Sequence, residues 1–261
     1  MRLDVYLSEK GLVKSRQRAK ELIKAGQVTV DGKSADKPAM EVAEGSEVKI
    51  EGEQLIYVGR GGLKLEKALG EFGISLENRV CIDIGASTGG FTDCMLKNGA
   101  EFVYAVDVGH GQLDDSLKGD ERVLNMEGRN ILEMDSGDFP RMPDFISADV
   151  SFVSLKRILP KIKELLPENG EAVVLIKPQF EAGRADIGKG GIVKDRKVHV
   201  RVLEEVLAAA AAEGLLTWGI TYSPVCGGDG NIEYLSHLKK AFGGRESDYR
   251  KIVSEAFDAL K

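Results

Sequence analysis

Arg79-Val80-Cys81-Ile82-Asp83-Ile84-Gly85-Ala86-Ser87-Thr88-Gly89-Gly90-Phe91-Thr92 is the most informative stretch of the chain. Val80 to Ile84 is apolar on both sides of Asp83, as a strand covered on both faces requires. Glycines at 85, 89 and 90 then let the backbone turn tightly and approach a ligand closely. Helical sequence follows from Phe91. Strand, glycine-rich turn and helix in this order open a doubly wound parallel sheet.

The order of residues in the turn matters. A dinucleotide loop reads G-x-G-x-x-G and offers a helix N-terminus to a pyrophosphate. Here the order is D-x-G-x-x-x-G-G-F, and an acid before the first glycine would repel a pyrophosphate. It suits a cofactor carrying an ammonium group, namely the methionine moiety of S-adenosylmethionine. This charge argument disfavours an NAD-dependent oxidoreductase. The next strand, Phe102 to Asp107, also ends in an acid, which can accept hydrogen bonds from both ribose hydroxyls of an adenosine. The expected cofactor contacts are Asp83, Gly85, Ser87, Thr88, Gly89, Gly90, Phe91, Asp107, Val108 and Asp149.

Outward from this turn, strands and helices alternate from residue 63 onward. Strands are expected at 79–84, 102–107, 123–127, 144–149, 171–177, 215–223 and 232–238. Helices are expected at 63–72, 89–98, 154–166 and 196–213, with a tail helix near 247–260. A tight glycine-rich turn between the last two strands suggests an antiparallel pair at one edge. The fold class is therefore α/β, a Rossmann-like methyltransferase domain preceded by a small α+β domain. The expected division is 1–52, a linker at 53–62, and 63–261.

Residues 1–52 follow a different rhythm. Arg2 to Leu7 opens a short helix that Gly11 ends. Ser15 is a candidate N-cap for a second helix, Arg16–Ala25, closed by Gly26. Val28 to Val30 alternates as a strand, Asp31-Gly32 is a hairpin dipeptide, and Glu47 to Ile50 alternates again. Between Lys10 and Lys24 lie Lys14, Arg16, Arg18 and Lys20 against the single Glu21. This basic cluster sits in an acidic chain of net charge -6. A solvated helix face is the bland reading of such a run. Phosphate contact is the functional one.

The chain has 261 residues, 43% hydrophobic and 30% charged, ordinary for a globular protein. No apolar run approaches the roughly 18–20 residues needed to span a bilayer, and the N-terminus has no secretory h-region. Cys81, Cys94 and Cys226 are odd in number and widely spaced, so reduced thiols and a cytoplasmic location are expected. Neither the cysteines nor His110, His199 and His237 have metal-ligand spacing, so no metal is expected.

Three further segments place charge where α/β sheets bind ligands. Asp149 ends one strand, Lys177 ends the next, and Glu233 opens the last. Lys64, in Arg60-Gly61-Gly62-Leu63-Lys64-Leu65, joins them, with Lys67 one turn away as the alternative. Two lysines and two carboxylates suit the handling of a proton as a hydroxyl nucleophile attacks an electrophilic methyl group. Lys177 could act as base if desolvation or a neighbouring cation lowers its pKa, or as a cation that stabilises the alkoxide. The segment 180–191 is long, glycine-rich and basic, and reads as a mobile rim or an ordinary loop.

The N-terminal pattern, RLDVYL followed by SRQRAKELIKAGQVTVDGK, resembles the S4 RNA-binding domain. That resemblance implies RNA contacts through Arg16, Arg18, Lys20, Lys24 and Lys33. Arg60, Arg184 and Lys189 are the further RNA-binding candidates. The set Lys64, Asp149, Lys177 and Glu233 resembles the K-D-K-E tetrad of FtsJ-type ribose 2′-O-methyltransferases. Taken whole, with RGGLKL, DIGASTGGFTD, AVDVGHGQL, ADVSFVSL, KPQFEAGR and GNIEY, the chain is similar to the TlyA (hemolysin A) family over essentially its full length. This implies an S-adenosylmethionine-dependent 2′-O-methyltransferase acting on cytidine of ribosomal RNA, with ribosomal subunits as partners. The alternatives are an RNA-binding protein with a non-catalytic methyltransferase fold, or a membrane-active hemolysin. A pseudouridine synthase would need a G-R-L-D-x-x-S/T segment, which the chain lacks.

Overall fold

The structure is a computed structural model that describes residues 1–13, 16–24, 26–43, 45–50, 56–241 and 243–260, without the side chains of residues 17, 18 and 21. The chain divides into two compact units, Met1–Ile56 and Tyr57–Lys261. The boundary falls inside the 53–62 stretch read as a linker, and residues 57–62 pack within the second unit. The expected cap Ser15, the last helical residue Ala25 and the side chain of Arg18 lie outside the described residues.

The first unit contains α1 (Leu3–Glu9), α2 (Arg16–Lys24), β1 (Val28–Val30), β2 (Lys33–Ser34) and β3 (Val48–Ile50). The strands form an antiparallel sheet in the order β2-β1-β3. Asp31 and Gly32 take φ of 52° and 75°, the double left-handed turn that twists correctly between hairpin strands. That turn leads into β2, which was not expected from sequence because it is only two residues long. Leu3, Leu7, Ala19, Ile23 and Val28 form the core. Asp4 is fully buried among them. It accepts hydrogen bonds from Arg2 at 3.0 and 3.1 Å and from Arg16 at 3.1 Å.

The second unit runs α3 (Gly61–Phe72), β4 (Val80–Ile84), α4 (Gly90–Lys97), β5 (Phe102–Asp107), α5 (Asp115–Lys118), β6 (Val123–Glu127), β7 (Phe145–Ala148), α6 (Leu159–Leu165), β8 (Glu171–Ile176), α7 (Pro178–Glu181), α8 (Arg196–Ala212), β9 (Leu216–Tyr222), β10 (Tyr234–Lys239) and α9 (Tyr249–Ala259). Every strand and long helix expected here is present within two residues at each end, except the helix expected at 154–166. There Leu155–Arg157 forms a separate 3-10 turn and α6 begins only at Leu159, with Pro160 in its first turn, where a proline is tolerated. The one-turn helices α5 and α7 were not expected; four residues carry too little periodicity to be seen.

The sheet has seven strands in the order β6-β5-β4-β7-β8-β10-β9. β4 to β8 run parallel to one another. The last two strands do lie antiparallel at one edge, but β10 is inserted between β8 and β9 and runs against both. The connection over 223–233 is a loop rather than the tight turn expected.

Strand parity sorts the side chains into two cores. Ile82, Tyr104, Ile146 and Val174 face one side. Cys81, Val103, Phe145, Val173, Leu175 and Leu235 face the other, beneath Leu65 and Leu69 of α3 and Met95 of α4. The strand order reverses at β4, between β5 and β7, the switch point beyond whose strand ends sheets of this kind form their ligand crevice.

Candidate active site

Four charged side chains meet at the carboxyl ends of the strands. Asp149 follows β7, two residues past Ser147. Lys177 follows β8, two residues past Leu175. Glu233 precedes β10, two residues before Leu235. With a period of two, all three continue the face that packs under α3 and α4. Because β10 is reversed, its start lies at the carboxyl end of β8. The register pairs Leu235 with Leu175 and Tyr234 with Ile176, so Glu233 arrives opposite Lys177. Lys64 comes from the first turn of α3 on the same side. Pro178 holds Lys177 extended (φ -112°, ψ 101°) and starts α7 as its first residue.

The contacts are close. Lys64 Nζ lies 2.6 Å from Glu233 Oε2 and 3.9 Å from Asp149 Oδ2. Lys177 Nζ lies 2.5 Å from Asp149 Oδ1 and donates to Ser151 Oγ at 2.9 Å. The Lys177–Asp149 contact is an ion pair without hydrogen-bond alignment, since Asp149 Oδ1 has no hydrogen-bond donor. Lys64 and Lys177 are each 8% exposed and Glu233 only 2%. Burying two cations with two carboxylates is tolerable because the charges balance within one contact network. Lys67, the alternative to Lys64, is elsewhere: its Nζ sits 3.5 Å from the Tyr222 ring centroid and 3.5 Å from Glu71 Oε1.

The glycine turn lies beside this cluster. Gly85 has φ of 83°, and a Cβ there would fall 2.4 Å from the Asp149 carbonyl oxygen. Only glycine lets the turn and the Asp149 backbone come together. Asp107, at the end of β5, accepts from Ser87 N at 2.8 Å and Gly109 N at 2.7 Å. Val108 beside it is 70% exposed, an unpartnered apolar surface at the lip of the crevice. Glu127, closing β6, accepts from Gln112 N and Leu113 N at 2.5 and 3.0 Å and shapes the same lip. Glu127 was missed in the sequence, although it too is an acid ending a strand. Ser87, Thr88, Gly89 and Gly90 form the turn between β4 and α4. Phe91 is buried under it at the start of α4.

Asp83 does something other than its charge suggested. It has no exposed surface. Its two oxygens accept from Thr92 Oγ1 at 2.7 Å and Ser147 Oγ at 2.8 Å. Parity explains this: Asp83 pairs with Ser147 across the β4–β7 ladder and points sideways toward α4. In this conformation it fixes the glycine turn from beneath. Burial pushes its carboxyl up to about 6, against the pull of the two hydroxyl donors. The unfolded chain ionises this group near pH 4, so the contribution of Asp83 to folding stability falls between about pH 4 and 6 and then levels. Asp83→Asn removes that dependence. Its stability relative to the parent should rise by about 3 kcal/mol across the window. Urea denaturation of both proteins from pH 4 to 7 measures the difference, and parallel curves would refute it.

Two aromatic rings flank the cluster. Phe152 is 91% exposed, with φ of 63°. Phe180 lies 5.0 Å from it, centroid to centroid, tilted by 54°. Glu181 braces this wall by accepting from Ser154 Oγ at 2.7 Å and Leu155 N at 2.6 Å. Phe152, Gln179 and Glu181 were not singled out in the sequence. The rim 180–191 is tied at its far end by Asn231, which donates to Gly191 O at 3.0 Å and accepts from Val193 N at 3.1 Å. Arg60, Arg184 and Lys189 are exposed in this unit. In the first unit Arg16, Lys24 and Lys33 are exposed and Lys20 is half-buried. Among the described residues, no group of three His, Cys, Asp or Glu is arranged to hold a metal ion. No described helix is long and apolar enough to cross a membrane.

Comparison with known proteins adds the following. Residues 57–240 match the FtsJ-like methyltransferase family and residues 1–48 match the S4 domain. A Bacillus subtilis protein described as "Putative rRNA methyltransferase YqxC" is 48% identical, over 100% of this chain and 95% of that protein. A Mycobacterium tuberculosis protein named 16S/23S rRNA (cytidine-2'-O)-methyltransferase TlyA is 40% identical, over 91% of this chain and 89% of that one. A solved structure titled "Putative hemolysin from Streptococcus thermophilus" is 46% identical, with a TM-score of 0.81 over 99% of this chain and 96% of that one.

Proposed function

Because the chain belongs to the TlyA (hemolysin A) family of FtsJ-like methyltransferases, with an S4 domain ahead of the catalytic one, we propose that it methylates the ribose 2′-hydroxyl of cytidine in ribosomal RNA, using S-adenosylmethionine. The meeting of Lys64, Asp149, Lys177 and Glu233 beside the glycine turn carries this reading.

The crevice fits that cofactor. Gly85 leaves a cradle that a Cβ would fill, Asp107 at the end of β5 would accept from ribose hydroxyls with the lone pairs its two backbone bonds leave, and the exposed Val108 would offer an apolar face to a purine. When bound, the cofactor supplies an electrophilic methyl group on sulfur. The residues of the chain do the rest. Asp149 and Ser151 hold Lys177 Nζ in place, where it would meet the attacking hydroxyl. Glu233 holds Lys64, and Lys64 keeps Asp149 turned toward Lys177. Direct displacement needs nucleophile and methyl in line, so fixing the hydroxyl accounts for much of the rate. Phe152 presents its face to the target base, which must leave its stack to bring the ribose into the cluster. The buried Asp4 holds Arg2 and Arg16 as a fixed pair for phosphate contact. The wider basic set comprises Arg18, Lys20, Lys24, Lys33, Arg60, Arg184 and Lys189.

The test is methyl transfer from radiolabelled S-adenosylmethionine to purified 30S and 50S subunits. Label is expected in RNA, at linkages that resist alkaline cleavage. RNA affinity should fall as salt rises, because phosphate neutralisation releases counterions. Salt-sensitive RNA binding without label, in protein shown to bind the cofactor, would favour a non-catalytic RNA-binding role instead.

A further inference from the structure

Glu233 has two carboxylate oxygens, and Lys64 engages only Oε2. The other, Oε1, accepts from Gln179 Nε2 at 3.1 Å. We propose that Gln179 is a positioning residue of the methyl-transfer site, fixing Glu233 and, through it, Lys64. This inference rests on the methyltransferase reading above.

Three observations carry it. First, the segment from Lys177 to Glu181 works in steps of two. Lys177 reaches Asp149, Gln179 reaches Glu233, and Glu181 reaches Ser154 and Leu155. Three successive alternate residues thus brace three walls of one site, and Gln179 is the member that reaches the reversed strand. Second, Gln179 is neutral. The cluster already contains two lysines and two carboxylates, and a fifth charge would unbalance it. An amide can direct a carboxylate without adding charge, and its orientation is determined, since a flipped amide would set two oxygens against each other. Third, the arrangement is poor for stability. The Gln179 carbonyl is buried without a hydrogen-bond donor. An apolar side chain of similar length would not carry that cost. The loop from the other side leaves little slack, because a Cβ on Gly227 would lie 2.5 Å from Glu233 Oε1. Glu233 is therefore confined between Gly227, Lys64 and Gln179.

The experiment uses the full chain with Gln179→Met and Gln179→Glu, measuring kcat and KM for methyl transfer to ribosomal RNA from pH 6 to 9. Thermal denaturation and calorimetric binding of S-adenosylmethionine run alongside. Gln179→Met is expected to melt no lower than the parent and to bind the cofactor equally. Its kcat should fall roughly 10- to 100-fold with KM little changed, as a displaced catalytic group would produce. In Gln179→Glu, a protonated carboxyl donates to Glu233 as the amide does, whereas an ionised one repels it. The ratio of its rate to that of the parent should therefore fall as pH rises. A Gln179→Met protein with the parent's kcat would overturn the inference. So would a pH-independent deficit in Gln179→Glu accompanied by a lowered melting temperature, which marks a structural role. If the parent itself transfers no methyl, the methyltransferase reading falls, and this inference with it.

Discussion

Replacing Lys177 with alanine is expected to lower the rate of methyl transfer by about 10²- to 10⁴-fold, the range a positioned proton-transfer group supplies. Cofactor affinity should change far less than the rate, because Lys177 reaches the glycine turn only through Asp149. The arginine variant separates the two roles open to this residue. Arginine cannot deprotonate at any accessible pH. If Lys177 takes the proton of the hydroxyl, Lys177→Arg will be as inactive as Lys177→Ala, and the parent's rate will climb with pH to a plateau. If Lys177 stays an ammonium and stabilises the developing alkoxide, arginine will retain part of the rate and the climb will be absent. Asp149 and Ser151 would still hold a guanidinium, though with altered geometry. Single-turnover kinetics on ribosomal subunits reads the chemical step directly. Near-parental turnover in Lys177→Ala would remove the cluster from the mechanism.

Why the cluster could be found in the sequence is a matter of strand ends. Asp149, Lys177 and Glu233 each put a charge where an apolar run stops, and parallel sheets bind ligands at that edge. The same rule exposed Asp107 and should have exposed Glu127. Asp83 shows where the rule misleads. Its place before the first glycine suggested a charge facing the cofactor, but in a strand buried on both faces composition does not reveal parity. Only the pairing of Asp83 with Ser147 shows that it points at α4. Gln179 and Glu181 were invisible for a related reason. Their partners, Glu233 and Ser154, are brought to them by the insertion of β10 beside β8 and by the loop after β7. Neither is encoded in local periodicity. The short elements β2, α5 and α7 escaped because hairpin extensions and single helical turns carry less pattern than noise.

Phe152 leads to the second large effect, and the one in which stability and activity should part. A phenylalanine with φ of 63° and 91% of its surface exposed packs only at its edge, against Phe180. The left-handed backbone costs about 1–2 kcal/mol for a residue with a Cβ. The exposed ring, in contact with Phe180 alone, offsets at most about 1 kcal/mol of it. Phe152→Gly should therefore be at least as stable as the parent, since glycine adopts this conformation freely. Catalysis should move the other way. Stacking of one base on an aromatic ring is worth about 1–3 kcal/mol. Loss of the platform should lower kcat/KM on ribosomal RNA by roughly 5- to 150-fold, with cofactor affinity unchanged. Phe152→Tyr keeps the ring and should keep most of the rate. Phe152→Ala keeps the backbone strain and loses the ring, so it should match Phe152→Gly in activity and fall below it in melting temperature. Such a pattern can arise only if the ring acts on the RNA and the backbone bears the cost. If Phe152→Gly instead lost stability and activity together, the ring would be a packing element of the loop after β7, and the base would have to be held by another surface.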